Sequence, residues 1–155
     1  MSISNPPLLI SLKPDYADLV FSGLKTAELR RRISKHVQNR DVYIYVSSLV
    51  MELRGGFRVG EVWSGSPSHV WGVVSQLAGV SRKVFNEYYE GSDLAYALEI
   101  QDVWEFANPV SLSKLRNRFD GFSPPQSYRY LKPKEIRSFA KQKRILLKDD
   151  LSRIA

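Results

Sequence analysis

Residues 22–32 read SGLKTAELRRR, and this charged segment follows the end of the first predicted helix. We expect a tight turn and then a strand. Because side chains on a strand alternate between its two faces, Ala27 and Leu29 are expected to face a core, while Glu28 and Arg30 share the opposite face. The sequence therefore predicts a strand with an outer row of charges, which either meets an anionic partner or is solvated.

The rest of the chain predicts strands with helices inserted between them. Apolar, β-branched and aromatic runs indicate strands at residues 8–12, 41–48 and 95–106. Helices are expected to begin at Pro14, Ser66 and Ser81, and Gly23 is expected to end the first of them. Strict strand–helix alternation and a Gly-rich phosphate loop are both absent from the pattern. We predict an α+β fold, a mixed β-barrel of five to six strands with peripheral helices. A single domain is expected over residues 1–155, with residues 132–155 forming a basic C-terminal helix and tail.

Composition excludes several kinds of site. The 155 residues include no cysteine and two histidines, so we expect no disulfide, no thiolate nucleophile, no metal centre and no cofactor. No apolar run approaches the roughly 20 residues that cross a bilayer, and no signal-peptide pattern opens the chain. A cytoplasmic protein with no membrane partner is expected.

The charge balance favours a polyanionic partner. The chain has 23 basic and 16 acidic residues, a net charge of +7, and the basic residues concentrate in residues 25–40 and 129–148. RNA or a nucleotide is the predicted partner, and DNA is a second possible partner. The alternative is a basic surface that is merely solvated.

The charged segment also carries a family resemblance. Residues 23–30, GLKTAELR, resemble the G-x-K-x-x-E-x-R signature of the ASCH domain, a PUA-like β-barrel family associated with RNA. Further blocks resemble those of longer bacterial and archaeal members: residues 11–16, 43–48, 59–62 and 123–130. The resemblance covers most of residues 8–131. It implies a PUA-like barrel of five or six strands, with a cleft between barrel and helices and the signature on the rim of that cleft.

The signature residues predict a cationic pocket. Lys25 and Arg30 flank Glu28, which either fixes both cations through charge-assisted hydrogen bonds or accepts a proton. Arg30 suits a bidentate phosphate clamp, and Lys25 suits a point charge or, if desolvated, a base with a lowered pKa. The alternative is a buried ion pair that holds the turn to the strand.

Two other stretches are predicted to contribute ligand contacts. On the third strand, Tyr43, Tyr45 and Ser47 share one face, which would place an aromatic pair beside the cationic strand to stack unpaired bases. Ordinary cross-strand packing is the alternative for these tyrosines. In the proline-stiffened segment before the last helix, four side chains are expected to contact a base or a phosphate: Gln126, Ser127, Tyr128 and Arg129. Either Tyr128 or Tyr130 would stack on a base.

The residues favour a nucleic-acid-binding module, for RNA or a modified nucleotide, that uses a cationic and aromatic cleft. The alternative implied by the resemblance is an ASCH-type hydrolase, either a ribonuclease or an amidohydrolase acting on an acetylated nucleoside. Lys25 and Glu28 are then the catalytic candidates. The family's amidohydrolases use the signature lysine with a threonine three residues later. Glu28 occupies that position here, and a carboxylate can act as a base but does not replace a hydroxyl nucleophile.

A regulatory protein is the third class that the sequence leaves open. Its basic C-terminal helix would contact a protein or DNA through side chains at one-face spacing: Lys134, Arg137, Lys141 and Arg144.

Overall fold

The computed structural model describes residues 6–147, which form seven strands and five helices. The strands are β1 (Leu8–Leu12), β2 (Ala27–Arg30), β3 (Asp41–Val46), β4 (Glu52–Gly65), β5 (Ala95–Ser111), β6 (Tyr128–Tyr130) and β7 (Arg144–Leu146). The helices are α1 (Pro14–Phe21), α2 (Pro67–Val74), α3 (Arg82–Tyr88), α4 (Leu112–Arg118) and α5 (Pro133–Ala140). Within this range, every helix is too short or too polar to span a membrane.

One mixed sheet organises the molecule. The strand order is β2-β5-β4-β3-β1-β6, and β7 pairs with β5 outside this path. β1 and β3 are parallel, and every other pair of neighbouring strands within residues 6–147 is antiparallel. The sheet curls into a half-barrel with helices around it, so the predicted α+β barrel-like class is confirmed. The predicted count of five or six strands omits the two three-residue strands, β6 and β7.

The two long strands bend where β4 contains paired glycines. The pairing of β4 with β5 shifts register between Leu53 and Gly55 and again between Gly56 and Arg58. A Cβ atom on Gly55 would lie 2.1 Å from the main-chain oxygen of Trp104. Only a residue without a side chain allows this approach of the two backbones, and the bulges let one long strand follow the curl.

Apolar side chains form three clusters around the sheet. The first fills the curled face beneath α1 and includes Leu8, Ile10, Val42, Ile44 and Phe57. The second lies on the other face of the sheet beneath α4 and α5, and includes Leu9, Tyr43, Tyr45, Trp104, Phe106 and Phe139. The third joins α2 and α3 to β2 and the start of β5, and includes Ala27, Leu29, Val70, Phe85 and Tyr89. Ala27 and Leu29 therefore face a core, as the alternation in β2 predicts.

The helix ends follow local capping chemistry. The side chains of Ser66 and Ser81 accept hydrogen bonds from backbone N–H groups in the first turns of α2 and α3. Pro14 begins α1, and Gly23 follows its end at a φ of 83°, in the left-handed region. These predicted starts and this predicted end are confirmed. The turn at Gly23 connects α1 to Lys25 and β2.

The C-terminal segment differs from its prediction. α5 ends at Ala140, and the chain then returns along the sheet as β7, which pairs with Trp104, Glu105 and Phe106 of β5. The single basic helix face predicted to include Arg144 is therefore wrong. The guanidinium of Arg144 lies 3.7 Å from the ring centroid of Trp104 and donates a hydrogen bond to the Tyr43 hydroxyl. The predicted tail at residues 148–155 lies outside the described residues.

Candidate functional site

A cleft of about 1460 Å³ opens beside β2, and we call it the β2–α3 cleft. Its walls come from the end of β1, the start of α1, the strand β2, the helix α3 and the segment just before β6. The cleft brings Lys25, Glu28 and Arg30 together with Gln126 and Ser127. Five of the predicted site residues thus share one cavity, although about 100 residues of chain separate the two groups.

Lys25 is buried at the base of this cleft, with a relative exposure of 3%. Its ammonium nitrogen, Nζ, donates a hydrogen bond of 2.6 Å to the carbonyl oxygen of Ala78. Burial lowers the pKa of Lys25 because it removes water from the charged form, and the nearby Glu28 carboxylate partly offsets the shift. Lys25 therefore has the desolvated environment expected for a proton-transfer group.

Glu28 and Arg30 lie on one face of β2, and both are buried, with exposures of 4% and 7%. The Nη2 atom of Arg30 donates a hydrogen bond of 2.5 Å to the Ser127 carbonyl oxygen. By contrast, Oε2 of Glu28 and Nε of Arg30 are buried without any hydrogen-bond partner. An unpaired buried polar atom costs about 1–3 kcal/mol, so these two atoms define a place where a ligand group or water is expected to bind.

For Glu28 and Arg30, the alternative of a solvated row of charges is wrong, because the walls of the cleft cover this face of β2. The alternative of a structural ion pair is not seen either. The salt bridges found among residues 6–147 join other side chains, and Glu28 is in none of them. Glu28 and the two cations are thus held near each other while a carboxylate oxygen stays free.

Two tyrosines at the end of α3 hold β2 in place. The hydroxyl of Tyr89 donates to the carbonyl oxygens of Arg30 at 3.2 Å and Tyr96 at 3.1 Å. Tyr88 reaches the Leu29 carbonyl oxygen at 3.4 Å, and its side chain also lines the cleft. Burial raises the pKa of both phenols, so they remain neutral donors. Sequence analysis assigns no cleft role to Tyr88, although its spacing of four from Val84, another lining residue, places both on one side of the helix.

Charge at the cleft is mixed, with an excess of cations. The lining includes five basic side chains, Lys13, Lys25, Arg30, Arg31 and Arg32, and three acidic ones, Glu28, Glu87 and Asp93. Aromatic side chains also line it: Tyr16, Phe85, Tyr88 and Tyr96. Arg31 and Arg32 are exposed at the opening, while Lys25 and Arg30 are buried.

The structure places Tyr43 and Tyr45 away from this cleft. In the sheet, β5 and β4 separate β2 from β3, and both tyrosines belong to the second apolar cluster. Tyr43 packs edge-on against Trp104, with ring centroids 4.9 Å apart. Ser47 follows β3, and its backbone N–H donates to the Leu12 carbonyl oxygen. The predicted aromatic pair beside the cationic strand is therefore wrong in its geometry, because the two strands are not neighbours.

The residues of the segment before α5 lie in two different environments. Gln126 and Ser127 line the cleft, whereas Tyr128 packs against the first apolar cluster. Arg129 donates two hydrogen bonds, of 2.9 and 2.8 Å, to the carboxylate of Glu135. Burial alone would raise the pKa of Glu135, but the hydrogen bonds from Arg129 and from the backbone of Lys132 outweigh it and lower that pKa. Arg129 thus holds β6 to α5 rather than reaching into the cleft.

Comparisons with known proteins bear on this site. The chain is 30% identical over 127 residues to an ASCH domain-containing ribonuclease of Zymomonas mobilis, a match that covers 82% of this chain and 85% of the relative. It is also 28% identical over 125 residues to the large ribosomal subunit protein uL22 of Ureaplasma parvum, of which the match covers 39%. No protein-family model matches the chain.

Solved structures of the Zymomonas mobilis protein share the fold of this chain. The crystal structure of ASCH from Zymomonas mobilis superposes with a TM-score of 0.82 at 27% identity, over 89% of this chain and 96% of that one. A tyrosine-to-phenylalanine mutant of that protein gives a TM-score of 0.83 over 90% of this chain. The signature at residues 23–30, the half-barrel and these matches agree, and the chain belongs to the ASCH domain family.

Proposed function

We propose that the protein binds single-stranded RNA and takes one unpaired nucleotide into the β2–α3 cleft. The observation that carries this proposal is the pair of buried, unpartnered atoms, Oε2 of Glu28 and Nε of Arg30, in the lining of the cleft. The cleft volume of about 1460 Å³ exceeds the roughly 300–1,000 Å³ of ordinary small-molecule sites, which suits an oligomer better than a metabolite.

The charged residues at the cleft determine which part of a nucleotide each of them can bind. A free carboxylate oxygen repels phosphate and accepts hydrogen bonds, so Glu28 suits a ribose hydroxyl or a base N–H group. Nε of Arg30 is a donor and suits an acceptor beside that group. The phosphates would then lie toward the exposed guanidinium groups of Arg31 and Arg32, and Tyr88 offers a ring for stacking.

Two further facts support an RNA ligand. The net charge of +7 favours a polyanion, and the relative from Zymomonas mobilis is named as a ribonuclease. If a ribose 2′-hydroxyl donates a hydrogen bond to Glu28, that bond would distinguish RNA from DNA. The same oligonucleotide made as DNA should then bind more weakly.

Glu28→Gln tests the proposal with a matched control. The substitution preserves size and removes one negative charge, and Glu61→Gln makes the same charge change at an exposed position of β4 outside the cleft lining. Hydrogen bonds to charged groups are worth about 1.5–3 kcal/mol, so Glu28→Gln should weaken binding of a labelled single-stranded RNA about 10-fold or more in fluorescence anisotropy. Glu61→Gln should change the affinity less than about twofold. Equal or tighter RNA binding by Glu28→Gln would overturn the proposal.

A second candidate function is cleavage of the bound RNA. The observation that favours it is Lys25, whose pKa is lowered by burial beside the free carboxylate of Glu28. Glu28 would take the proton of a ribose 2′-hydroxyl as its oxygen attacks phosphorus, and Arg30 would stabilise the phosphoryl charge. The Lys25 ammonium would give a proton to the departing 5′-oxygen. The products would be a 2′,3′-cyclic phosphate and a 5′-hydroxyl.

The fragment ends and one pair of variants test this candidate. Purified protein should convert 5′-labelled RNA into fragments that end in 2′,3′-cyclic phosphate, and Lys25→Met should remove this activity. Lys114→Met, on the exposed face of α4, should retain it. Cleavage that persists in Lys25→Met would sink the catalytic role. Acetate released from acetylcytidine, with RNA left intact, would instead assign the site to amide hydrolysis.

A further inference from the structure

We infer, on the basis of the proposed RNA binding, that residues 31–40 and Tyr130 form a track that holds the RNA chain where it leaves the β2–α3 cleft. These ten residues connect β2 to β3, and we call them the β2–β3 loop. Single-stranded RNA is the occupant that its charge and position fit.

The β2–β3 loop carries only basic charge. Its sequence, RRISKHVQNR, has no acidic residue, and Arg31, Arg32 and Lys35 are exposed. Arg31 and Arg32 also line the cleft, so the cationic surface continues from the cleft onto the loop. Phosphates that Glu28 repels from the interior would meet these cations directly outside it.

The loop is fixed to the barrel rather than free. Val37 is 1% exposed and belongs to the first apolar cluster. The backbone N–H of Asn39 donates to the Val59 carbonyl oxygen at 2.9 Å, and the N–H of Val59 donates to the Arg40 carbonyl oxygen at 3.0 Å. Cations presented on an ordered loop lose less conformational entropy when they bind a phosphate chain.

Tyr130 adds an aromatic surface at the edge of the loop. Its hydroxyl shares a hydrogen bond with the hydroxyl of Ser34, and its side chain keeps 42% exposure. The guanidinium of Arg40 lies 5.8 Å from the centroid of the Tyr130 ring. Exposed aromatic rings beside cations are the surfaces on which proteins stack bases of single strands. Tyr128, the other tyrosine that the sequence offers for stacking, is instead packed against the barrel core.

A double substitution on the loop tests the track. The probes are fluorescein-labelled polyuridine of about nine nucleotides, which has no stable pairing, and uridine 5′-monophosphate, which fills only the cleft. Arg32→Ala/Lys35→Ala should weaken polyuridine binding about 10-fold and reduce the slope of log affinity against log salt by about 1.4, because each phosphate contact contributes about 0.7. Lys35→Ala alone, at an exposed position outside the cleft lining, should weaken polyuridine binding but change the affinity for uridine monophosphate less than about twofold.

The matched control removes two cations from α4. Lys114→Ala/Arg118→Ala makes the same charge change at exposed positions outside the cleft, and its polyuridine affinity should stay within about twofold of the wild-type value. An unchanged affinity and salt slope in Arg32→Ala/Lys35→Ala overturns the track. If Glu28→Gln still weakens binding in that case, RNA binding in the cleft stands and only the track fails. If the wild-type protein binds no polyuridine, both fail.

A second pair of variants tests the ring of Tyr130. Tyr130→Phe removes the hydroxyl but retains the stacking surface, and Tyr130→Ala removes both. Stacking predicts that Tyr130→Ala weakens polyuridine binding about fivefold or more, while Tyr130→Phe stays near the wild-type affinity. If both variants lose the same amount of polyuridine affinity, Tyr130 only supports the loop through its hydrogen bond with Ser34. If both keep the wild-type affinity, the ring is not part of the track.

Discussion

Lys25 shows how one residue can be prepared for chemistry by its surroundings. Its ammonium is nearly excluded from solvent and donates to the Ala78 carbonyl oxygen. An ammonium can donate three hydrogen bonds, so donors remain for a ligand in the cleft. Burial of this charge works against folding, and Glu28 offsets only part of that effect. A cost of this kind is typical of functional sites more than of structural ones.

Lys25→Met should reveal the cost of burying the Lys25 charge through the pH dependence of the free energy of unfolding. Burial lowers the pKa of Lys25 below its ordinary value of 10.5 in the folded state. Between the lowered pKa and 10.5, the unfolded chain binds more protons, so this group makes the wild-type protein more stable as pH rises through the window. Methionine cannot titrate. The free energy of unfolding of the wild-type protein should therefore rise relative to that of Lys25→Met as pH rises toward 10.5 in urea titrations. A difference that is constant with pH would contradict the burial of the charge.

The grouping of the site residues could be predicted from the sequence, but their burial could not. Alternation along β2 puts Glu28 and Arg30 on one face, and the turn at Gly23 brings Lys25 close to them. The partners that bury them are distant in the chain: Ala78 accepts from Lys25, and Ser127 accepts from Arg30. These contacts depend on the folded sheet, and local pattern does not encode them.

At the scale of the element, bulges in the pairing of β4 with β5 accompany the curl of the sheet. β5 pairs with β4 along most of its 17 residues, with β2 from Tyr96 to Glu99, and with β7 from Trp104 to Phe106. The bulges near Gly55 and Gly56 allow β4 to stay paired while it bends. The close backbone contact at Gly55 requires a residue without a Cβ atom.

Gly55→Ala and Gly72→Ala should change stability in opposite directions. A Cβ atom on Gly55 would lie 2.1 Å from the Trp104 carbonyl oxygen, so the strands must separate, at a cost of about 3 kcal/mol or more. At Gly72 in α2 no atom lies within 4 Å of a new Cβ, and alanine should stabilise the helix by about 0.5–1 kcal/mol. Urea unfolding measures both values. Wild-type stability in Gly55→Ala would show that the β4–β5 contact is looser than described.

Helix starts could be predicted from the sequence, but the short strands β6 and β7 could not. Ser66, Ser81 and Pro14 identify helix starts by local chemistry, and those starts are confirmed. β6 and β7 have three residues each, too few for a periodic signal, and they exist because β1 and β5 provide edges for pairing. The basic spacing that continues to Arg144 favours helix, but the contacts of Arg144 with Tyr43 and Trp104 replace that preference.

At the scale of the whole molecule, strand order decides which side chains can share a ligand. β2 lies at one end of the order and β3 lies three places away, so the tyrosines of β3 point into a cluster that is separate from the cleft. Sequence neighbours give no signal for this order, because β2 pairs with β5 across about 70 residues of chain. The family signature predicted the class of fold, while the cleft lining depends on the order of strands.

The net charge and the cleft together assign opposite roles to the surface and the interior. In the proposed function, cations at the opening would attract the phosphate chain, and the free carboxylate inside would select the uncharged part of a nucleotide. A molecule arranged in this way should bind single strands, because a paired base cannot enter the cleft without leaving its helix.

A crystal structure of the protein with a short single-stranded RNA tests this account most directly. The account predicts one nucleoside in the β2–α3 cleft, with a hydroxyl or N–H group donating to Oε2 of Glu28 and an acceptor receiving a hydrogen bond from Nε of Arg30. Its phosphates should lie toward Arg31 and Arg32. An RNA chain bound over the Tyr43 and Tyr45 face, with the cleft unoccupied, would contradict it.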